Sequence, residues 1–150
     1  MAATDKGVCA VRIGDRAATL EGDLCREFAA ADVRRDDNEL AALLDPILKH
    51  LDGKQSNINL PLDIRATAFQ RLVWEALRAI PYGSTRSYSE IARQIGQPTA
   101  ARAVARACAT NPVALVIPCH RVVREDQSLG GYRWGIDRKK KLLAKERQHP

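Results

Sequence analysis

Cys119 stands directly after Pro118 and directly before His120 and Arg121. A thiol with an imidazole at its side is a candidate nucleophile. A free cysteine titrates at about 8.5, so only a few per cent is thiolate at neutral pH; a neighbouring base, cation or helix N-terminus raises that share. His120 can take the thiol proton, and a carboxylate on the imidazole would hold its tautomer and stabilise the imidazolium. A bare Cys-His pair also fits a buried thiol beside a surface histidine. The surrounding elements must decide between the two.

The remaining cysteines, Cys9, Cys25 and Cys108, lie in apolar strand or helix patterns and read as core fillers. There is no C-x-x-C pair and no histidine at zinc-finger spacing, so no metal site is expected. Met1 to Gly7 lacks the layout of a signal peptide, and no run of about 18 apolar residues is present. The sequence therefore reads as cytoplasmic, with reduced thiols and no membrane partner.

The formal charge is +6 and the pI about 9.4, which favours a polyanionic partner, nucleic acid first. The excess is uneven. Residues 1–60 are nearly neutral or acidic, with Asp32, Asp36, Asp37 and Glu39, whereas Arg and Lys dominate from Arg65 onward.

At 150 residues the chain suits one or two small domains. Val8–Ile13 reads as a strand, and Leu20, Leu24 and Phe28 as the stripe of an amphipathic helix. A second helix is expected over Leu40–Leu51, carrying Leu43, Leu44, Ile47 and Leu48, with Pro46 kinking or restarting it. Gly53–Asn59 is a linker, which sets the boundary between a 1–60 and a 61–150 domain. In the second half, Thr67 with Gln70 and Ser87 with Glu90 are capping boxes that open two helices. The first buries Phe69, Val73, Leu77 and Ile80, with Trp74 in the core; the second stops at Gly96. Thr99 is expected to cap a third, Ala100–Ala109, giving a helix-turn-helix. Leu115-Val116-Ile117 reads as a short strand cut off by Pro118, and Gln127–Gly135 as a loop. Asp137 is expected to cap a basic last helix ending near Arg147, with Lys139-Lys140-Lys141 on a solvated face.

The run Asn111-Pro112-Val113-Ala114-Leu115-Val116-Ile117-Pro118-Cys119-His120-Arg121-Val122-Val123 resembles the active-site signature of the O6-alkylguanine-DNA alkyltransferases, most closely their bacterial adaptive-response branch. Supporting runs are Leu60–Arg65, Phe69-Gln70 with Val73-Trp74, Ile80–Gly83, Ser87-Tyr88, Arg102–Val104 and Gly131–Gly135. The resemblance implies an α/β (α+β) fold: a small ribonuclease H-like sheet-plus-helix domain, then a mainly helical, winged-helix-like DNA-binding domain. Only six residues precede Gly7, so a shortened first strand is expected.

For the site, the resemblance implies that Cys119 accepts the alkyl group, that His120 is its base through a water, and that Glu146 orients His120. Asn111 would tie the hinge to the active-site turn. Tyr88 would rotate the target nucleotide and protonate the leaving guanine. Arg102 would fill the gap left in the base stack, on a DNA-entering helix with Ala103 and Arg106. Val122, Tyr132, Arg133 and Trp134 would line the guanine pocket; Trp134, where some relatives have glycine, favours methyl over bulky benzyl groups.

The implied partner is double-stranded DNA containing O6-alkylguanine, with O4-alkylthymine a second substrate that the same chemistry allows. No cofactor and no obligate protein partner are expected; the chain reads as a monomer. Transcriptional activation is not carried over. An alkyl group on guanine O6 is buried in the duplex, so the base must leave the stack. The thioether product has no easy leaving group, which makes the reaction a single turnover. Two other readings are a lesion-binding protein without transfer, which the presence of Cys119 opposes, and a helix-turn-helix regulator, which leaves Pro118–Arg121 without a purpose. A cysteine hydrolase would need an oxyanion site and an acyl substrate, and neither is suggested.

Overall fold

A computed structural model describes residues 1–148 of the chain. The first two strands, β1 (Ala2–Thr4) and β2 (Gly7–Ala10), form an antiparallel pair. The six residues before Gly7 thus hold a three-residue strand. The next segment forms α1 (Ala17–Glu27) and α2 (Asp37–Leu51). The Asp36 carboxylate accepts the Glu39 N–H at 3.0 Å and caps α2, with Asp37 and Glu39 favourably placed in its first turn. Pro46 lies inside α2 without splitting it; the helix gives up one N–H there, not its continuity.

Both capping boxes form. Thr67 and Gln70 open α3 (Ala68–Arg78), and Ser87 and Glu90 open α4 (Tyr88–Gln94). Helix α5 spans Ala101–Ala109, but its N-cap is Ala100 with no side-chain bond. Thr99 therefore does not cap it; the Ala100 N–H instead closes a turn on the Gln97 carbonyl at 2.9 Å. The last helix, α6, spans Ile136–Gln148. Asp137 sits in its first turn, where its charge suits the helix dipole.

The expected strand at Leu115–Ile117 is absent as such. Leu115 has φ 69° and the Val116 N–H reaches the Ala114 carbonyl at 2.8 Å, closing a three-residue γ-turn in its strained, positive-φ form. The Cys119 N–H then bonds the Ile117 carbonyl at 2.8 Å around Pro118, whose φ −80° and ψ 59° are those of an inverse γ-turn. The apolar run is fully buried because it is a double turn in the core, where no period-2 pattern is needed. Proline favours the second turn by its locked φ.

One core joins both halves of the chain: Val8, Val11, Ile47 and Leu60 cluster with Val73, Leu77, Ile91, Val104, Val113 and Ile117. Helices α3, α4 and α5 pack on one another. Strand β3 (Arg86–Ser87) runs parallel to β4 (Val122–Val123), pairing Arg86 with Val122 and Ser87 with Val123. That pairing sets the start of α4 against the segment leaving Cys119. Of the cysteines read as core fillers, Cys108 is buried, Cys9 is half-buried and Cys25 is exposed.

Candidate active site

Cys119, His120 and Arg121 form one turn of 3-10 helix between Pro118 and β4. All three side chains are buried. The turn points three successive side chains in different directions, so the thiol, the imidazole and the guanidinium each meet different partners.

Asn111 sits beneath the thiol. Its Nδ2 donates to the Ile117 carbonyl at 2.8 Å and to Cys119 Sγ at 3.3 Å, and its Oδ1 accepts from the Val113 N–H at 2.9 Å. Burial pushes the Cys119 thiol up; the Asn111 amide, Lys139 and Arg133 pull the other way without overcoming it. Its surroundings thus favour the protonated thiol over the thiolate.

His120 is the next residue of the turn. Its Nε2 lies 2.7 Å from Glu146 Oε1. A carboxylate only accepts, so Nε2 carries the hydrogen and a neutral ring leaves Nδ1 as a lone pair. Nδ1 is buried and unpartnered among the described residues, as is the hydroxyl of Tyr132, whose ring lies edge-on to His120 at 6.5 Å. Burial lowers the His120 pKa, and Glu146 opposes that shift.

Glu146 is the hub of the site. It accepts Arg121 Nε at 2.9 Å and Nη2 at 3.0 Å, and the Gly83 N–H at 3.1 Å. His50 Nε2 stands 3.6 Å from the same Oε1 that His120 uses. Burial would push this carboxylate up, but the hydrogen bonds from His120 and Arg121 outweigh it and hold Glu146 well below the usual carboxylate range. Arg121 also donates from Nη1 to the Ile80 carbonyl at 2.8 Å and lies over the Tyr82 ring at 5.4 Å. The roles of Arg121 and His50 as partners of Glu146 were not legible as site chemistry. Arg121 carried a signal, its place beside His120; His50 carried none, since its helix is far away in sequence.

The far wall is the 127–135 loop. Lys139, expected on a solvated face, is fully buried: its ammonium bonds the carbonyls of Val122 at 2.6 Å, Gly131 at 3.3 Å and Leu129. Burial lowers its pKa, while the Cys119 and Cys108 thiols raise it. Three carbonyls aimed at one point demand a cation, and helix α6 supplies it. Lys140 and Lys141 are exposed as expected. Gly130, at φ 64°, lies so close to Tyr88 that a Cβ there would fall 2.9 Å from the phenol oxygen. Tyr88 is half-buried, and burial raises its pKa to about 12, so it holds its proton firmly. Tyr132 packs edge-on against Trp134 at 5.2 Å, and the Arg133 guanidinium lies over Trp134 at 5.7 Å. Arg133 Nη1 also donates to the Asn111 carbonyl at 3.0 Å, tying the loop to the hinge.

The structure thus brings Asn111, Cys119, His120, Glu146, Val122, Tyr132, Arg133 and Trp134 around one turn, with Tyr88 against the loop that closes it. Arg102, Ala103 and Arg106 stand apart, all exposed on α5, while Val104, Ala107 and Cys108 form its buried side. Among the described residues no group of acidic, histidine and cysteine side chains is placed to hold a metal ion, and no helix is long and apolar enough to cross a membrane.

Comparison with known proteins places the chain in a family. The family model for the 6-O-methylguanine DNA methyltransferase DNA-binding domain matches residues 68–148. The bifunctional transcriptional activator/DNA repair enzyme Ada of Escherichia coli is 48% identical over 149 residues, 99% of this chain and 42% of that protein. The chain therefore spans less than half of that relative. The methylated-DNA–protein-cysteine methyltransferase of Mycolicibacterium paratuberculosis is 50% identical over 109 residues, 73% of this chain and 66% of the relative. The crystal structure of Mycobacterium tuberculosis OGT in complex with DNA superimposes with a TM-score of 0.70 at 47% identity, covering 73% of this chain and 68% of that one. The mixed α/β fold, six helices with two small sheets in the described residues, matches that structure. This chain belongs to the 6-O-methylguanine DNA methyltransferase family.

Proposed function

We propose that this chain repairs double-stranded DNA by moving the alkyl group of O6-alkylguanine, methyl above all, irreversibly onto its own Cys119. The observation that carries this reading is a buried Cys119 thiol held by Asn111, followed in the same turn by a His120 whose Nε2 is fixed on Glu146 and whose Nδ1 has no partner among the described residues. The names of the relatives, a protein-cysteine methyltransferase and an OGT bound to DNA, support it.

In this reading α4 and α5 act as a helix-turn-helix on a winged-helix-like unit, residues 61–150, behind a ribonuclease H-like unit, residues 1–60. Arg102, with Ala103 and Arg106 beside it, enters the duplex as the guanine leaves, offsetting part of a flipping cost of a few kcal/mol. The flipped base stands between Val122, Tyr132, Arg133 and Tyr88, and Trp134 under Tyr132 limits the space for the alkyl group. His120 Nδ1 takes the Cys119 proton through a water. The thiolate attacks the alkyl carbon; an S–C bond forms and the C–O6 bond breaks, its electron pair staying with the guanine. Tyr88, holding its proton, gives it to the guanine, and the proton taken by His120 restores the phenol. The thiol proton thus ends on guanine and the alkyl group on sulfur. The thioether is stable, so each molecule acts once as a monomer without cofactor. O4-alkylthymine presents the same carbon–oxygen bond and is a second substrate.

The test is incubation with a duplex carrying O6-methylguanine, followed by peptide mass spectrometry. A methyl group on the Cys119 peptide, absent in Cys119→Ala, is expected. A folded, DNA-bound wild-type protein that stays unmethylated at Cys119 would overturn the reading.

A further inference from the structure

Glu146 Oε1 faces two imidazoles: His120 Nε2 at 2.7 Å and His50 Nε2 at 3.6 Å. His50 comes from α2, in the first half of the chain, and is 4% exposed. Its other nitrogen, Nδ1, lies 2.9 Å from the Gln55 carbonyl. A carbonyl only accepts, so Nδ1 carries the hydrogen. A neutral His50 therefore turns the lone pair of Nε2 toward a carboxylate oxygen. A second proton converts that edge from an acceptor into a charged donor and adds a cation beside Glu146.

The charged surroundings sharpen the effect. From the turn after Pro118 come Arg121 and His120, and from α6 comes Glu146, the carboxylate bonded to both. Tyr82 stands edge-on to the His50 ring at 5.1 Å. Arg78 and Lys145 line the clefts on either side of it. A cationic His50 joins Arg121 on a single carboxylate, just where a protonated His120 must be stabilised during transfer.

We infer that His50 is a positioning residue for the reaction: a second imidazole on Glu146 that, when protonated, draws that carboxylate away from His120 and slows the loss of the Cys119 proton. This rests on the reading of His120 as the base for Cys119. Acting through Glu146, His50 touches neither the alkyl group nor the thiol. It links the packing of α2 to the chemistry of the second half.

The experiment combines two measurements on wild type and His50→Gln, whose amide cannot titrate. The first is the single-turnover rate of methyl transfer from an O6-methylguanine duplex between about pH 8 and about pH 5, the span in which imidazoles take up protons. The ratio of the rates at the two ends should be about tenfold larger for wild type than for His50→Gln. The second is a titration of the imidazole 15N resonances of the DNA-free protein. His120 should respond at the midpoint of His50 as well as at its own, and the extra step should vanish in His50→Gln. Superimposable rate profiles, or a His120 signal blind to the ionisation of His50, would overturn the inference. If wild type transfers no methyl at any pH, the assignment of Cys119 fails, and the resonance titration alone judges the coupling. If His50→Gln does not fold, the two-step titration of wild type decides.

Discussion

The amide of Asn111 donates to the sulfur of Cys119 across 3.3 Å, and the same nitrogen holds the Ile117 carbonyl at 2.8 Å. One side chain therefore fixes both the thiol and the γ-turn that presents it. Replacing it by alanine leaves the Val113 N–H unpaired in a buried place and removes one of the two donors to the Ile117 carbonyl, at a cost of about 1–3 kcal/mol. Asn111→Asp has a different signature. It exchanges a donor for a negative charge beside the thiol, so the pH midpoint for iodoacetamide labelling of Cys119 should rise above that of wild type. A midpoint that stays in place in Asn111→Asp would mean that the amide does not act on the sulfur.

Glu146 gives a prediction about acid stability. Its carboxyl is held below its ordinary value by partners present only in the folded chain. A depressed carboxylate stabilises the fold above the unfolded pKa, about 4.3, and that contribution is lost as pH falls toward the folded value. Glu146→Gln should therefore lose about 3 kcal/mol at neutral pH, because Arg121 is left buried without its counter-charge. The loss should narrow below about pH 4. Denaturant melts at a series of pH values check this; a constant difference down to low pH would assign the loss to packing alone.

Lys139→Met removes a buried ammonium from the carbonyls of Val122, Leu129 and Gly131. Methionine fills the space but bonds none of them, so a loss of about 2–4 kcal/mol is expected. The effect should be concentrated in the 127–135 loop, which this side chain ties to both α6 and β4. Amide hydrogen exchange should show faster exchange there than in α3. Uniform change across the chain would reduce Lys139 to a general stabiliser.

These residues also mark how far the sequence could be read. The capping boxes at Thr67 and Ser87 were legible because both partners lie within four residues, and the helices formed where they indicated. The pairing of His120 with Glu146 was legible only through the family resemblance; nothing local links Glu146 to a histidine 26 residues earlier. The Leu115–Ile117 strand failed because full burial looks the same in a strand and in a turn folded into the core. Lys139 failed for a related reason. Three consecutive lysines look solvated, yet helical geometry turns one of them inward, and only the carbonyls of distant loops explain its burial. His50 shows the limit most clearly, since its meaning depends on a carboxylate near the other end of the chain.

Arg102 tests the proposed entry into DNA. It is exposed on α5, so Arg102→Ala should change stability by no more than about 0.5 kcal/mol. If its side chain occupies the gap left by the flipped guanine, its loss removes part of what offsets unstacking. About 1.4 kcal/mol of that offset would slow repair of a duplex by about tenfold. The same lesion in a single strand needs no extrusion from a paired stack, so its repair should slow much less. Comparing both substrates under single-turnover conditions separates a wedge from a simple phosphate contact, because a lost contact to the backbone weakens duplex and single strand alike. Equal slowing on both would assign Arg102 to electrostatic attraction and remove it from the flipping step.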